Sequence, residues 1–178
     1  MRSRLLTDHH GTRSFVVALE TGDRLMESIK RFAADNGLAA SEFTAIGALA
    51  SARLAYFDPE IREYVDIPVD EHVELASLNG RITRPEGGEG EPHLHVHCVV
   101  SRRDGSAIAG HLMEAEVRPT AEVFITDSPF IFTLPASIAI EACERVLNKR
   151  MAQRYLSIRT FKPSLMAQPP YVTPTLRV

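Results

Sequence analysis

The chain has 178 residues and 44% of them are hydrophobic, which is enough for one domain with an ordinary core and a tail. Its net charge of −3 is unevenly distributed: residues 1–135 carry 13 Lys and Arg against 21 Asp and Glu, a balance of −8, and residues 136–178 carry 7 against 2, a balance of +5. The acidic balance of residues 1–135 argues against a broad nucleic-acid-binding surface, because such surfaces are normally basic. No apolar run approaches the roughly 20 residues that span a bilayer, so we expect no membrane segment.

The first residues and the cysteines bear on the compartment. Residues 1–13 are polar and lack the apolar middle of a signal peptide, and we expect them to form a flexible arm. Cys98 and Cys143 are far apart in apolar settings, which is typical of reduced core thiols. The sequence therefore predicts a cytoplasmic protein.

The first half of the chain predicts one helix among strands. Residues 14–20 indicate a strand, and Asp23 is placed to cap an amphipathic helix that ends at Asn36-Gly37. A turn is predicted at Asn79-Gly80. The further strands are predicted over residues 42–50, 51–58, 63–68, 71–78 and 81–83.

Four of the seven histidines lie in residues 93–111. His93, His95 and His97 alternate with apolar residues, so a strand would place the three imidazoles on one face. Asp104-Gly105 predicts a turn, after which an antiparallel strand returns with His111. Neutral imidazoles that converge from paired strands suit a transition metal. The alternative is a polar sheet face with solvated histidines.

The register of this hairpin decides whether the imidazoles converge. A two-residue loop puts His111 opposite Cys98, on the wrong face, whereas a three-residue loop over 103–105 or a bulge at Gly110 puts it opposite His97. We expect a divalent transition metal, with zinc the best fit, or a small ligand. The predicted metal ligands are His93, His95 and His111, with His97 as a spare or outer ligand.

The remaining strands and the tail complete the fold prediction. Strands are predicted over 114–117 and 121–126, broken by residues 118–120, and a helix over 137–155 before an extended, proline-bearing end. The predicted class is α+β: a strongly bent antiparallel or mixed sheet with one packed amphipathic helix, plus a C-terminal helix and an irregular tail. The expected domain spans residues 14–135, and residues 136–178 form the C-terminal helix and tail.

Six short motifs follow one another in a distinctive order, at residues 21–23, 45–49, 74–80, 92–96, 110–112 and 121–123. No single motif is specific, but the ordered set resembles the "plants and prokaryotes conserved" (PPC) domain family over residues 15–133. In plants this family carries AT-hook segments that bind DNA, and its prokaryotic members, which are usually the PPC domain alone, are similar in forming homotrimers.

The resemblance implies a homotrimer with two histidine motifs, which fall on His93, His95 and His111. This chain has no Arg-Gly-Arg-Pro hook, so DNA binding would depend on its basic tail, through Arg145, Lys149, Arg150 and Arg154. A cupin also uses His-x-His, but it needs a glutamate a few residues later, where this chain has valines.

A metal-dependent, hydrolase-like enzyme acting on a small molecule is the alternative function. Three imidazoles with an open position are the arrangement of catalytic zinc, which lowers the pKa of bound water toward about 7. Such an enzyme needs a general acid or base, and the candidates in the sequence are Glu114, Glu116 and Glu122.

Overall fold

The structure is a computed structural model and describes residues 1–84 and 90–128. In this part of the chain no helix has both the length and the apolarity that crossing a bilayer requires. The elements in chain order are β1 (Arg2–His9), β2 (Thr12–Glu20), α1 (Leu25–Asp35), β3 (Ala40–Asp58), β4 (Glu63–Val69), β5 (Val73–Thr83), β6 (His93–Ser101) and β7 (Ala107–Asp127).

All seven strands belong to one antiparallel sheet in the order β1-β2-β7-β6-β5-β3-β4. Because β3 also pairs with β7, strands β3, β5, β6 and β7 close into a ring. Apolar side chains alternate into its interior, as the period of two requires. The ring therefore has a buried inner face and an outer face that polar residues can occupy.

Helix α1 covers part of the core formed with this sheet. Leu25, Ile29 and Phe32 fall on one helical face and are buried. Phe32 makes an edge contact with Phe15 of β2, with ring centroids 5.3 Å apart. The helix is the amphipathic element that the sequence predicts.

The capping prediction for this helix is wrong. The N-cap is Arg24, which makes no side-chain capping hydrogen bond. The Asp23 carboxylate instead accepts a hydrogen bond from the Glu20 backbone N–H at 2.9 Å. The side chain that was predicted to start the helix therefore stabilises the preceding turn.

The fold-class prediction is also wrong for the described residues. They are 69% strand and 9% helix, so the domain is mostly antiparallel sheet and not a balanced α+β fold. The predicted helix over 137–155 and the extended tail lie outside the described residues. Residues Arg2–His9, predicted as part of a flexible arm, form β1, which pairs with β2 although all its residues are exposed. Backbone hydrogen bonds to β2 order this segment, although its polar sequence does not predict a strand.

Two predicted interruptions are absent from the strands. Residue Gly80 lies inside β5, where a Cβ atom would collide with the ring of Phe43, so this glycine serves close packing and not a turn. Strand β7 continues through residues 118–120. That is compatible with Pro119 because the β3–β7 pairing shifts register there, between Gly47 and Leu49.

Candidate functional site

Strand β6 carries its histidines on one face and its core residues on the other. Val96 and Cys98 are buried in the interior, and burial raises the pKa of the Cys98 thiol to about 11. The alternate residues His93, His95 and His97 therefore share the outer face, where His97 is exposed and the other two are half-buried.

The β6–β7 turn sets the register of the returning histidine. The Arg102 N–H donates to the Ser106 carbonyl at 2.8 Å, and the Gly105 N–H donates to the Arg102 carbonyl at 2.9 Å. Residues 103–105 thus form a three-residue loop, with Gly105 at a φ of 83° that favours glycine. As a result His111 lies opposite His97, which is the three-residue alternative of those that the sequence leaves open.

Three histidines converge on the outer face. His95, His97 and His111 each offer a ring nitrogen, and these nitrogens all lie within 4.8 Å of one another. His93 is not a member of this group, whereas His97, which the sequence predicts as a spare or outer ligand, is a member. The reason is that β7 pairs with β6 only from His97 to Ser101 and continues beside β3 after His111.

The spacing of the nitrogens suits a tetrahedral metal. Nε2 of His95 and Nε2 of His97 are 3.2 Å apart. Two metal–nitrogen bonds of about 2.0–2.1 Å at a tetrahedral angle place their nitrogens about 3.3–3.4 Å apart. A shift of roughly 1.4 Å in the His111 ring would bring even a 4.8 Å separation to that value. The residues present therefore fit a zinc-like ion.

The environment favours the neutral form of His95 and His111. Burial, followed by the charges of the neighbouring histidines, lowers the pKa of His111 to about 4. Burial also lowers the pKa of His95, with smaller contributions from His97, His93 and Arg81. Neutral imidazole is the form that binds a metal.

One buried polar atom in the cluster lacks a partner. Nδ1 of His111 is buried and makes no hydrogen bond within the described structure. An unpaired buried polar atom is costly, since it loses water without replacing it. A bound ligand or ion that engages Nδ1 itself would remove that cost.

Two side chains that the sequence analysis did not identify flank the cluster. Tyr64 of β4 lies beside His111 with ring centroids 5.1 Å apart, and small Ala55 of β3 lies between their strands. Arg81 of β5 lies directly opposite His95. Both neighbours depend on the pairing registers between strands, which no local sequence pattern indicates.

The three candidate carboxylates do not join the cluster. Glu114 forms an ion pair with Arg24, and Glu116 lies opposite Arg24 in an isolated bridge. Glu122 is eleven residues beyond His111 in the sequence, between Ala18 and Ile46 of the neighbouring strands. No Asp or Glu of the described ranges shares the histidine group. The tail residues Arg145, Lys149, Arg150 and Arg154 lie outside the described residues.

Residues 7–129 match the domain family described as Plants and Prokaryotes Conserved (PCC). No curated protein matches the chain in sequence. The match covers every strand from the end of β1 to the end of β7 and includes all four histidines of residues 93–111.

Solved structures have the same fold. A metal-containing protein from Archaeoglobus fulgidus is 34% identical, with a TM-score of 0.59 over 64% of this chain and 78% of that protein. A plant- and prokaryote-conserved protein from Pyrococcus horikoshii is 30% identical, with a TM-score of 0.60 over 71% and 81%. A Bacteroides thetaiotaomicron protein, provisionally named as DNA-binding, is 24% identical, with a TM-score of 0.62 over 72% and 85%, and shows the fold alone.

Proposed function

The chain belongs to the Plants and Prokaryotes Conserved family, and we propose that within this fold it binds a divalent transition metal through His95, His97 and His111. The observation that carries the proposal is the convergence of three ring nitrogens within 4.8 Å on one sheet face. Three protein ligands leave a fourth, open position on the metal. His93 stays outside the coordination sphere.

Zinc fits this site best. Imidazole ligands suit zinc, copper, nickel and iron, whereas calcium and magnesium prefer oxygen ligands, and no described carboxylate joins the group. The similar Archaeoglobus protein is named as metal-containing, which supports a metal in this fold. The depressed pKa of His111 keeps its ring available to a metal in mildly acidic solution.

Metal analysis of the purified protein tests the proposal. We expect about one metal ion per chain in the wild type and substoichiometric metal in His95→Ala and His111→Ala. His72→Ala is the matched control, because His72 is exposed and lies before β5, outside the cluster. His93→Ala should also retain the metal. Equal metal content in wild type and His95→Ala would contradict the proposed site.

We also propose that the chain forms a homotrimer through the outer sheet surface. Ile46 of β3 and Phe124 of β7 are 57% and 48% exposed, and both lie on the outer face of the β2-β7-β3 region. Exposed apolar side chains on a sheet favour burial against another copy. Native mass spectrometry should give a trimer for the wild type and smaller species for Phe124→Glu, with Ile61→Glu as a control of similar exposure outside the sheet.

The geometry favours metal binding over hydrolysis by the predicted carboxylates. Glu114 is occupied by Arg24, and neither Glu116 nor Glu122 belongs to the histidine group. A general acid or base must lie within hydrogen-bond reach of the reacting proton, directly or through one water. Metal-dependent hydrolysis through these three residues is therefore the weaker function.

A further inference from the structure

We propose that residues 137–155 of a neighbouring subunit dock on the β3–β4 hairpin, against Tyr56 and Val65. The inference rests on the proposed homotrimer, because the docked segment belongs to a second copy of the chain. It is carried by the apolar surface of the hairpin, by its acidic charge and by the length of chain that follows β7. The docked segment lies beyond residues 7–129, which match the family.

The hairpin continues the apolar rows of the core beyond the core itself. Leu54 and Ile67 are cross-strand partners that face the interior, where Leu54 is fully buried. The next pair on the same face is Tyr56 and Val65, since side chains alternate with a period of two. These two side chains are 60% and 46% exposed, so no part of the described structure covers this end of the rows. An exposed apolar pair that extends a core favours burial against another segment.

The turn and the opposite face hold the hairpin in a defined shape. The Asp58 carboxylate accepts a hydrogen bond from the Glu60 backbone N–H at 2.8 Å. On the face opposite the exposed pair, Phe57 and Tyr64 pack with ring centroids 5.5 Å apart. Ile61 lies within the turn, outside the paired rows. The docking surface is therefore preformed, and a partner that binds it costs the hairpin little conformational entropy.

The charge of the hairpin favours a basic partner. Residues 56–66 carry four Asp and Glu against one Arg, a balance of −3. Such a surface disfavours nucleic acids and anionic lipids, since their phosphates are negative. Residues 145–154 carry four Lys and Arg and no acid. The sequence predicts a helix over 137–155 whose apolar stripe contains Ile140, Cys143, Leu147 and Met151.

The length of the connecting chain assigns this segment to a neighbouring subunit. The Ser128 backbone N–H donates to the Ala40 carbonyl at 3.1 Å, which fixes the end of the described chain beside the start of β3. Strand β3 runs from Ala40 to Asp58, so at about 3.3 Å per residue, with allowance for bending, its far end lies roughly 45 Å away. Residues 129–136 span at most about 28 Å, too short to bring the segment to the hairpin of the same chain. The contact joins two different surfaces, and contacts of that kind close into rings.

A disulfide between an engineered and a native cysteine tests this contact in the full-length protein. Val65→Cys places a thiol on the docking surface, and Cys143 is the native thiol on the predicted apolar stripe. Cys98 does not interfere, because it is buried and the pKa of its thiol is about 11. After oxidation with diamide, which adds no metal ion, we expect covalent dimers and trimers in non-reducing electrophoresis. They should disappear when Val65→Cys is combined with Cys143→Ser, which excludes a bond between two copies of residue 65.

Glu27→Cys is the matched control, since residue 27 is exposed on α1, away from the hairpin. Its interchain crosslink should form about tenfold more slowly, because docking gives residue 65 a high effective concentration of the Cys143 thiol. In the Val65→Cys chain, Glu60→Gln with Glu63→Gln should slow crosslinking about threefold at low salt. An intrachain disulfide, or equal crosslinking from residues 65 and 27 in a protein that native mass spectrometry shows to be trimeric, overturns the inference alone. A monomeric wild type contradicts the proposed homotrimer itself.

Discussion

His97 of β6 lies directly opposite His111 of β7, across a hairpin whose loop contains three residues. This pairing carries His111 onto the outer face and keeps Cys98 on the buried face opposite Gly110. A register shifted by one residue would place His111 opposite Cys98 and turn its imidazole toward the buried face. The candidate site therefore depends on one backbone register.

Gly110→Ala should disturb the candidate metal site, because Gly110 directly precedes His111 on β7. A Cβ atom at residue 110 would lie 2.9 Å from the Ala55 carbonyl oxygen and 3.3 Å from Cβ of Leu54, so β7 must move away from β3. We expect a loss of about 1–3 kcal/mol in the free energy of unfolding and weaker metal binding through displacement of His111. Urea unfolding and metal titration measure the two effects.

Ala109→Ser, an exposed change on the same strand, is the control for this substitution and should alter neither quantity. Unchanged stability in Gly110→Ala would show that the two strands can separate without cost at this point.

The metal-free protein should lose stability as the pH falls from about 6.5 toward 4. The folded-state pKa of His111 is about 4, below its ordinary value of 6.5, so the unfolded chain binds the proton more readily in this interval. His95, whose pKa is lowered in the same direction, adds to the effect. Urea midpoints measured with a chelator at several pH values should fall more steeply in wild type than in His111→Gln.

Carboxylates contribute to acid unfolding in both proteins, so the difference between the two curves isolates His111. Parallel curves between pH 6.5 and 4 would mean that the ring is protonated equally in the folded and unfolded states.

Tyr64→Ala should raise the pKa of His111 toward its ordinary value. The Tyr64 ring lies against His111, and burial is the largest cause of the low pKa. Removing the ring admits water, which favours the protonated imidazole. Tyr64→Phe keeps the aromatic cover and should leave the pKa low. An NMR titration of the His111 ring protons measures the pKa in each variant. If the pKa is the same in Tyr64→Ala and wild type, residues other than Tyr64 bury the His111 ring.

Asp127→Ala should destabilise the domain by about 1.5–3 kcal/mol, the range for a hydrogen bond to a charged group. Asp127 is 8% exposed, accepts from the Ser41 hydroxyl at 2.7 Å and pairs with Arg13 at 2.7 Å. Arg13 also donates to the Asn36 carbonyl, so this group joins β2, β3, β7 and the end of α1. Thermal unfolding measures the loss, and Glu42→Ala, an exposed change next to Ser41, should shift the midpoint little.

Residues 1–135, which are acidic overall, should not bind duplex DNA tightly at about 150 mM salt. Residues 1–135 have a balance of −8, so phosphate contacts are expected only from Arg145, Lys149, Arg150 and Arg154. Fluorescence anisotropy at several salt concentrations should give weak, steeply salt-dependent binding that falls further when all four are changed to Gln. Tight binding that survives the fourfold change would contradict the charge argument.

The local part of the site could be predicted from the sequence. Alternation placed His93, His95 and His97 on one face, and the three-residue loop brought His111 to it. The position of His93 outside the group of three could not be predicted, because it follows from the point at which β7 leaves β6 for β3. The amphipathic pattern and the Asn36-Gly37 stop signal also predict helix α1 correctly.

The failures share a physical cause. Asn79-Gly80 predicts a turn, but Gly80 packs against Phe43, which is 37 residues earlier in the chain and cannot be identified from the local sequence. Residues Arg2–His9 have no apolar alternation, and their order comes from hydrogen bonds to β2. Tyr64 and Arg81 reach the cluster only through the pairing of β4 with β3 and of β5 with β6. Each of these features is set by contacts between segments that the local sequence does not specify.

The closure of the ring has a consequence for the order of folding. His95, His97 and His111 lie within one hairpin and need only a short loop to meet, whereas the β3–β7 pairing joins Ser41 to Asp127 across most of the domain. Short loops close in well under a microsecond, and distant strand pairing is slow because the chain entropy must be lost first. The proposed metal ligands can therefore assemble before the ring closes, and we expect an ion held by the hairpin to accelerate the later pairing of β3 with β7. Refolding with and without zinc should then differ in rate as well as in final stability.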